Sequence, residues 1–113
     1  MEEKVVTKKD LIDAIKEVNP KIILIKLKYN PLAKFEVYEA RFDETGRNRV
    51  ILKATREELS KLRKSFVNQI LNFLQYSLQG NYPIYVYLKD IPATYKVVGI
   101  EKDTKNKVLT LFV

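Results

Sequence analysis

Neither cysteine nor histidine occurs among the 113 residues. Without cysteine, disulfides and thiolate metal sites are excluded; without histidine, the commonest general base and metal ligand are missing, and nucleophile–histidine triads with them. Tryptophan is absent too, and the three glycines, Gly46, Gly80 and Gly99, stand alone, so there is no glycine-rich phosphate loop. No apolar run approaches the ~18 residues of a membrane span, and the first ten residues, MEEKVVTKKD, lack a signal-peptide apolar region. The expected location is therefore cytoplasmic, with no membrane partner, and no cofactor is expected.

What is present describes a folded chain. A hydrophobic share of 46% and a charged share of 31% suit one domain spanning 1–113 with a single modest core. The formal charge of +7 is unevenly spread: residues 20–54 carry eight basic and four acidic groups, whereas residues 1–19 carry four and five. A pI near 9.5 makes nucleic acid the first partner to consider, ahead of an anionic surface or an acidic protein.

The stretch Val50–Leu62, VILKATREELSKL, joins a strand to a helix without a linker. Val50, Leu52 and Ala54 alternate with Arg49, Ile51 and Lys53, and Thr55 with Glu58 reads as a capping box, with Ala54 and Leu59 as its staple. Apolar residues at helical spacing then run from Leu59 through Phe66, Ile70 and Phe73 to Gly80, the expected C′ residue, which predicts a helix of roughly seven turns. So wide a stripe calls for a sheet, a second subunit or both, and a homodimer is expected through it. A second capping box, Thr7 with Asp10, starts a short N-terminal helix that Asn19-Pro20 ends. Strands are expected over Lys21–Tyr29, Phe35–Phe42 and Arg47–Ala54 before the long helix, and over Tyr82–Lys89, Thr94–Glu101 and Lys107–Val113 after it. The predicted fold is α+β in the order αβββαβββ: two antiparallel β-meanders packed on one long central helix, plus the short N-terminal helix, with either one continuous sheet or two facing sheets.

Catalysis finds little support in the residues. Glu36 and Glu39 have opposite strand parity and cannot act as a pair, and nothing converges on the helix carboxylates Asp10, Asp13 and Glu17. Asp90 followed by Asp103-Thr104-Lys105 matches the acid…acid-x-lysine order of metal-dependent nucleases, but it falls in predicted turns. No enzyme and no metal site is expected, and a small nuclease is the third-ranked alternative.

Nucleic-acid binding has more behind it. Attachment to phosphates needs several cations on one surface, and unpaired bases need flat aromatic faces. Strand parity supplies both: Lys26 with Lys28, Arg49 with Lys53, and Tyr85 with Tyr87 and Lys89 each share a face, while the loop Asp43–Arg49 carries Arg47 and Arg49 past an acidic pair.

The segment FEVYEARFDETGRNRVILKATREELSKL, residues 35–62, in which a strand ends in a threonine cap followed by x-x-E-x-x-x-L, resembles the meander-then-helix unit of small single-stranded DNA-binding proteins. These are the Whirly and Pur families and the transcriptional positive-cofactor coactivator domain. The resemblance implies that the sheet holds single-stranded DNA, with Arg41, Arg47, Arg49 and Lys53 on the contact surface and Phe66, Ile70 and Phe73 in the core or at a dimer interface. The chain departs from those families in placing a helix first and only three strands before the long helix. Its lysine- and tyrosine-rich, cysteine-free composition resembles that of proteins from viruses or plasmids of thermophilic archaea, which would put it in a host cytoplasm. The leading expectation is a non-enzymatic protein that binds single-stranded DNA with little sequence preference; the alternative is a protein-interaction or assembly protein using the apolar helix stripe.

Overall fold

The first helix, α1 (Lys8–Val18), forms as its cap signals require. Thr7 accepts from the Asp10 backbone N–H, Asp10 accepts from the Thr7 N–H at 3.0 Å, and Asn19 ends the helix in the left-handed conformation with its N–H on the Ile15 carbonyl. Leu11, Ala14, Ile15 and Val18 make its buried face. The computed structural model describes residues 5–43, 48–56 and 63–113. Glu58, Leu59 and Arg47, and with them the second capping box and the tip of the arginine loop, lie outside these residues.

Among the described residues seven strands follow: β1 (Ile22–Leu27), β2 (Asn30–Asp43), β3 (Arg49–Thr55), β4 (Ile84–Leu88), β5 (Ala93–Lys96), β6 (Gly99–Asp103) and β7 (Val108–Phe112), with a second helix, α2 (Arg63–Asn72), between β3 and β4. They form one mixed sheet in the order β5-β4-β3-β2-β1-β7-β6. Neighbours are antiparallel except β3 with β4 and β1 with β7, which run parallel. Parallel neighbours need a long crossover, and the chain from Arg56 to Pro83 supplies the one between β3 and β4.

This architecture replaces the expected two meanders on a long central helix. The described part of α2 has 10 residues and continues as a π-helical turn, Phe73–Ser77, before Leu78 turns extended. The meanders do not clasp the helix from two sides; they join edge to edge through the parallel pairs, giving a curled sheet, a half-barrel, with two short helices. The physical reason is that α2 serves as a crossover beside the sheet, so its stripe is spent on one face. Val67, Ile70, Leu74 and Leu78 are buried in the chain's own core, while Tyr76 of the same helical run is exposed. Gly80, at φ +95°, lies three residues beyond the helical run, and a Cβ there would meet the Tyr82 ring at 3.0–3.3 Å.

Curling also splits the strand expected over Thr94–Glu101. Val97 N–H donates to the Ile84 carbonyl at 3.0 Å and Val98 N–H to the Phe112 carbonyl at 2.8 Å, so one extended segment leaves β4 and joins β7. The two ends of the sheet therefore approach each other at Val97–Val98.

Alternation sorts the sheet into two faces. Ile23 and Ile25, Phe35 and Val37, Val50, Leu52 and Ala54, Ile84, Val86 and Leu88, and Leu109 and Leu111 are buried in one cluster with α1 and α2. Each fully buried side chain of this kind contributes roughly 1.5–3 kcal/mol relative to leaving it in water. An irregularity between Val37 and Glu39 shifts the β2 register, so that Val37 faces Ala54 and Glu39 faces Lys53.

Candidate nucleic-acid interface

Both helices lie on the inward face, and among the described residues no element covers the outward one. The ladder partners place its side chains. Asp43 stands opposite Arg49, Arg41 opposite Ile51 and Glu39 opposite Lys53; Ile51 and Lys53 neighbour Tyr85 and Tyr87; Tyr85 and Tyr87 oppose Lys96 and Thr94. Arg41, Arg49, Lys53, Tyr85 and Tyr87 thus share one face across three adjacent strands, as strand parity predicts. Arg41, Asp43, Ile51, Lys53, Tyr87 and Thr94, with Phe42, line a cleft of ≈ 460 Å³ there.

The other expected residues stand apart. Lys26 pairs with Lys34 at the far end of β2, and Lys28 lies in the turn beyond β1. Lys89 is exposed just after β4, its N–H on the Ala54 carbonyl at 3.0 Å. Arg47 is outside the described residues.

Carboxylates interrupt the cationic rows. Arg49 Nε donates to Asp43 Oδ2 at 2.8 Å, the two side chains only 15% and 10% exposed, and its guanidinium lies over the Tyr85 ring, 4.7 Å from the centroid. Arg49 is thereby a fixed strut between Asp43 and Tyr85. Glu39 Oε2 takes both Lys53 Nζ at 3.2 Å and Arg41 Nε at 3.4 Å. Such partly exposed pairs are worth little and exchange readily for another anion. On β2 from Glu39 to Asp43 together with β3–β5, Arg41, Arg49, Lys53 and Lys96 stand against Glu39 and Asp43, a positive excess. On the outward side of β1, β6 and β7 and the start of β2, Lys26 and Lys34 stand against Glu36, Glu101 and Asp103, and that excess disappears.

The acid–lysine pattern considered for a nuclease is dispersed. Asp90 accepts from the Arg56 N–H at 2.7 Å and the Thr55 hydroxyl at 3.1 Å; the Arg56 N–H first, then Thr55, hold its carboxyl below the ordinary value. Thr55 closes β3 and its hydroxyl joins that strand to the β4–β5 turn. Asp103 lies at the opposite end of the β5–β6 segment, its pKa lowered by the backbone and then the side chain of Asn106. Among the described residues no group of three or more His, Cys, Asp or Glu is placed to hold a metal ion, and no helix is long and apolar enough to cross a membrane.

Sequence reasoning missed Lys96 and Thr94 as neighbours of the tyrosines, and Ile51 as the apolar floor between them and β2. Their outward parity was legible, but the neighbour relation of β4 to both β3 and β5 is a tertiary fact. No protein-family model, no curated protein and no solved structure matches the chain.

Proposed function

We propose that the protein binds single-stranded DNA, with little sequence preference and without chemistry of its own, across the outward face of β2–β5. The observation that carries this reading is the position of Tyr85 and Tyr87 between the cationic row of β3, Arg49 and Lys53, and Lys96 of β5, on a face that no described element covers. Bases stack on the two rings, whose planes tolerate any base, while Arg41, Lys53 and Lys96 meet phosphates, the first two by exchanging Glu39 for the nucleic acid. Arg49 stays on Asp43 and orients Tyr85. Ile51 gives the bases an apolar floor.

Fluorescence anisotropy with labelled single-stranded DNA, duplex DNA and single-stranded RNA of equal length, each across a salt series, tests this. Single-stranded DNA is expected to bind tightest. Tyr87→Ala costs about 1–3 kcal/mol of binding, and Arg41→Ala with Lys53→Ala lowers the salt slope by about one for each phosphate that is no longer neutralised. Stoichiometry from the same titration tests the homodimer. Absence of binding to all three probes at low salt overturns the proposal and leaves a protein-assembly role as the successor.

A further inference from the structure

Among the described residues, the two most exposed large apolar side chains sit at one place, the tip of the β1–β2 hairpin. Tyr29 is 94% exposed and Leu32 91%. Neither contributes to the core: Tyr29 lies in the turn beyond the last ladder pair, Leu27 with Asn30, and Leu32 lies at the irregularity between that pair and Lys26 with Lys34. Lysines surround it. Lys26 faces Lys34 directly across the ladder and Lys28 is exposed in the turn; Lys26 and Lys34 share a groove with Glu101 and Asp103, but among the described residues none of the three lysines makes an ion pair. Like charges directly opposite each other on a sheet are destabilising, and the first carboxylate along the chain, Glu36, is buried. Arg56 adds a further cation beside Leu32 and Lys34, in the groove at the foot of the tip.

We infer that this tip docks on an anionic lipid surface. A nucleic acid would satisfy the lysines and leave the aliphatic Leu32 in water; a lipid interface satisfies both. Leu32 enters the boundary of the acyl chains, Tyr29 sits at headgroup depth with its hydroxyl wet, and Lys26, Lys28 and Lys34 meet lipid phosphates. The contact is peripheral and involves no span. It is independent of the tyrosine face, because Lys26 and Lys34 pair at the far end of β2 from Arg41.

Co-sedimentation of the full chain with vesicles of phosphatidylcholine alone and of equimolar phosphatidylcholine and phosphatidylglycerol reads the outcome. Binding is expected to the anionic vesicles, to weaken with salt, and to be near background on the zwitterionic ones. Tyr29→Ser with Leu32→Ser lowers binding to the anionic vesicles by roughly tenfold or more, with the circular dichroism spectrum unchanged. Because the chain has no cysteine, Leu32→Cys accepts a single environment-sensitive fluorophore, and its emission shifts to the blue on anionic vesicles. No binding to anionic vesicles, equal binding by the double variant, or an unshifted fluorophore overturns the inference.

Discussion

The two faces of the sheet are built from the same strands, residue by residue in alternation, yet obey different physics. On the inward face Phe35, Leu52, Ile84 and Leu109 are fully buried and packed with both helices, and the buried Lys8 ammonium at the margin is held by the Leu78 carbonyl at 2.8 Å. On the outward face apolar Ile51 and the rings of Tyr85 and Tyr87 are half-covered by long charged neighbours, and carboxylates and cations form a chain of partners. One face stores stability; the other remains exchangeable, since its pairs are mostly weak and wet.

The contrast is broken most strongly from the inward side. Phe35→Ala empties a fully buried site under the β1–β2 pair and is expected to cost about 3–5 kcal/mol in chemical denaturation; a cost below about 1 kcal/mol would mean that the inward row is not the core. On the outward face the largest effect belongs to Arg49, because it alone is both nearly buried and shared. Arg49→Ala removes the Nε–H that Asp43 accepts and the cation over Tyr85, and is expected to cost about 1–3 kcal/mol of stability. Arg41→Ala, whose side chain is 65% exposed, is expected to leave the denaturation midpoint almost unmoved. Equal costs for the two would erase the distinction between strut and exchangeable pair.

The smallest effect lies at the rim, where Asp90 ties the β4–β5 turn to the end of β3. Its pKa is lowered in the fold from 3.8. The stabilisation it provides is therefore fully present above that value and is lost as pH falls through the lower folded one. Thermal unfolding followed from neutral to strongly acid pH is expected to show a shallower acid decline in Asp90→Asn than in the wild type, and identical declines would detach Asp90 from the clasp.

Local patterns carried much of this structure. Thr7 and Asp10 announce the start of α1, the helix stops at Asn19 as expected, and alternation assigns the described side chains of β1, β3 and β4 to their faces, whereas Tyr29, expected on the face of Ile23 and Ile25, lies in the turn beyond β1 and is exposed. Of the candidate site residues, parity alone places Arg49, Lys53, Tyr85 and Tyr87 outward, and they are neighbours, whereas Lys26, Lys28 and Lys89 stand apart from them. The contact of the Thr55 hydroxyl with Asp90, 35 residues away, has no local signal. Val97 and Val98 read as mid-strand because nothing local reveals that the chain there must leave β4 for β7.

The sequence by itself determined how the first helix begins and which way the side chains of β1, β3 and β4 point, because those follow from a period of two and from a cap a few residues long. Only the tertiary structure decided that β3 takes β4 and β1 takes β7 as parallel neighbours, that the sheet curls until its ends approach, and that Asp43 and Glu39 answer the outward cations. Those outcomes depend on pairings between residues far apart in the chain, and side-chain parity, which is the same for every candidate neighbour, cannot choose among them.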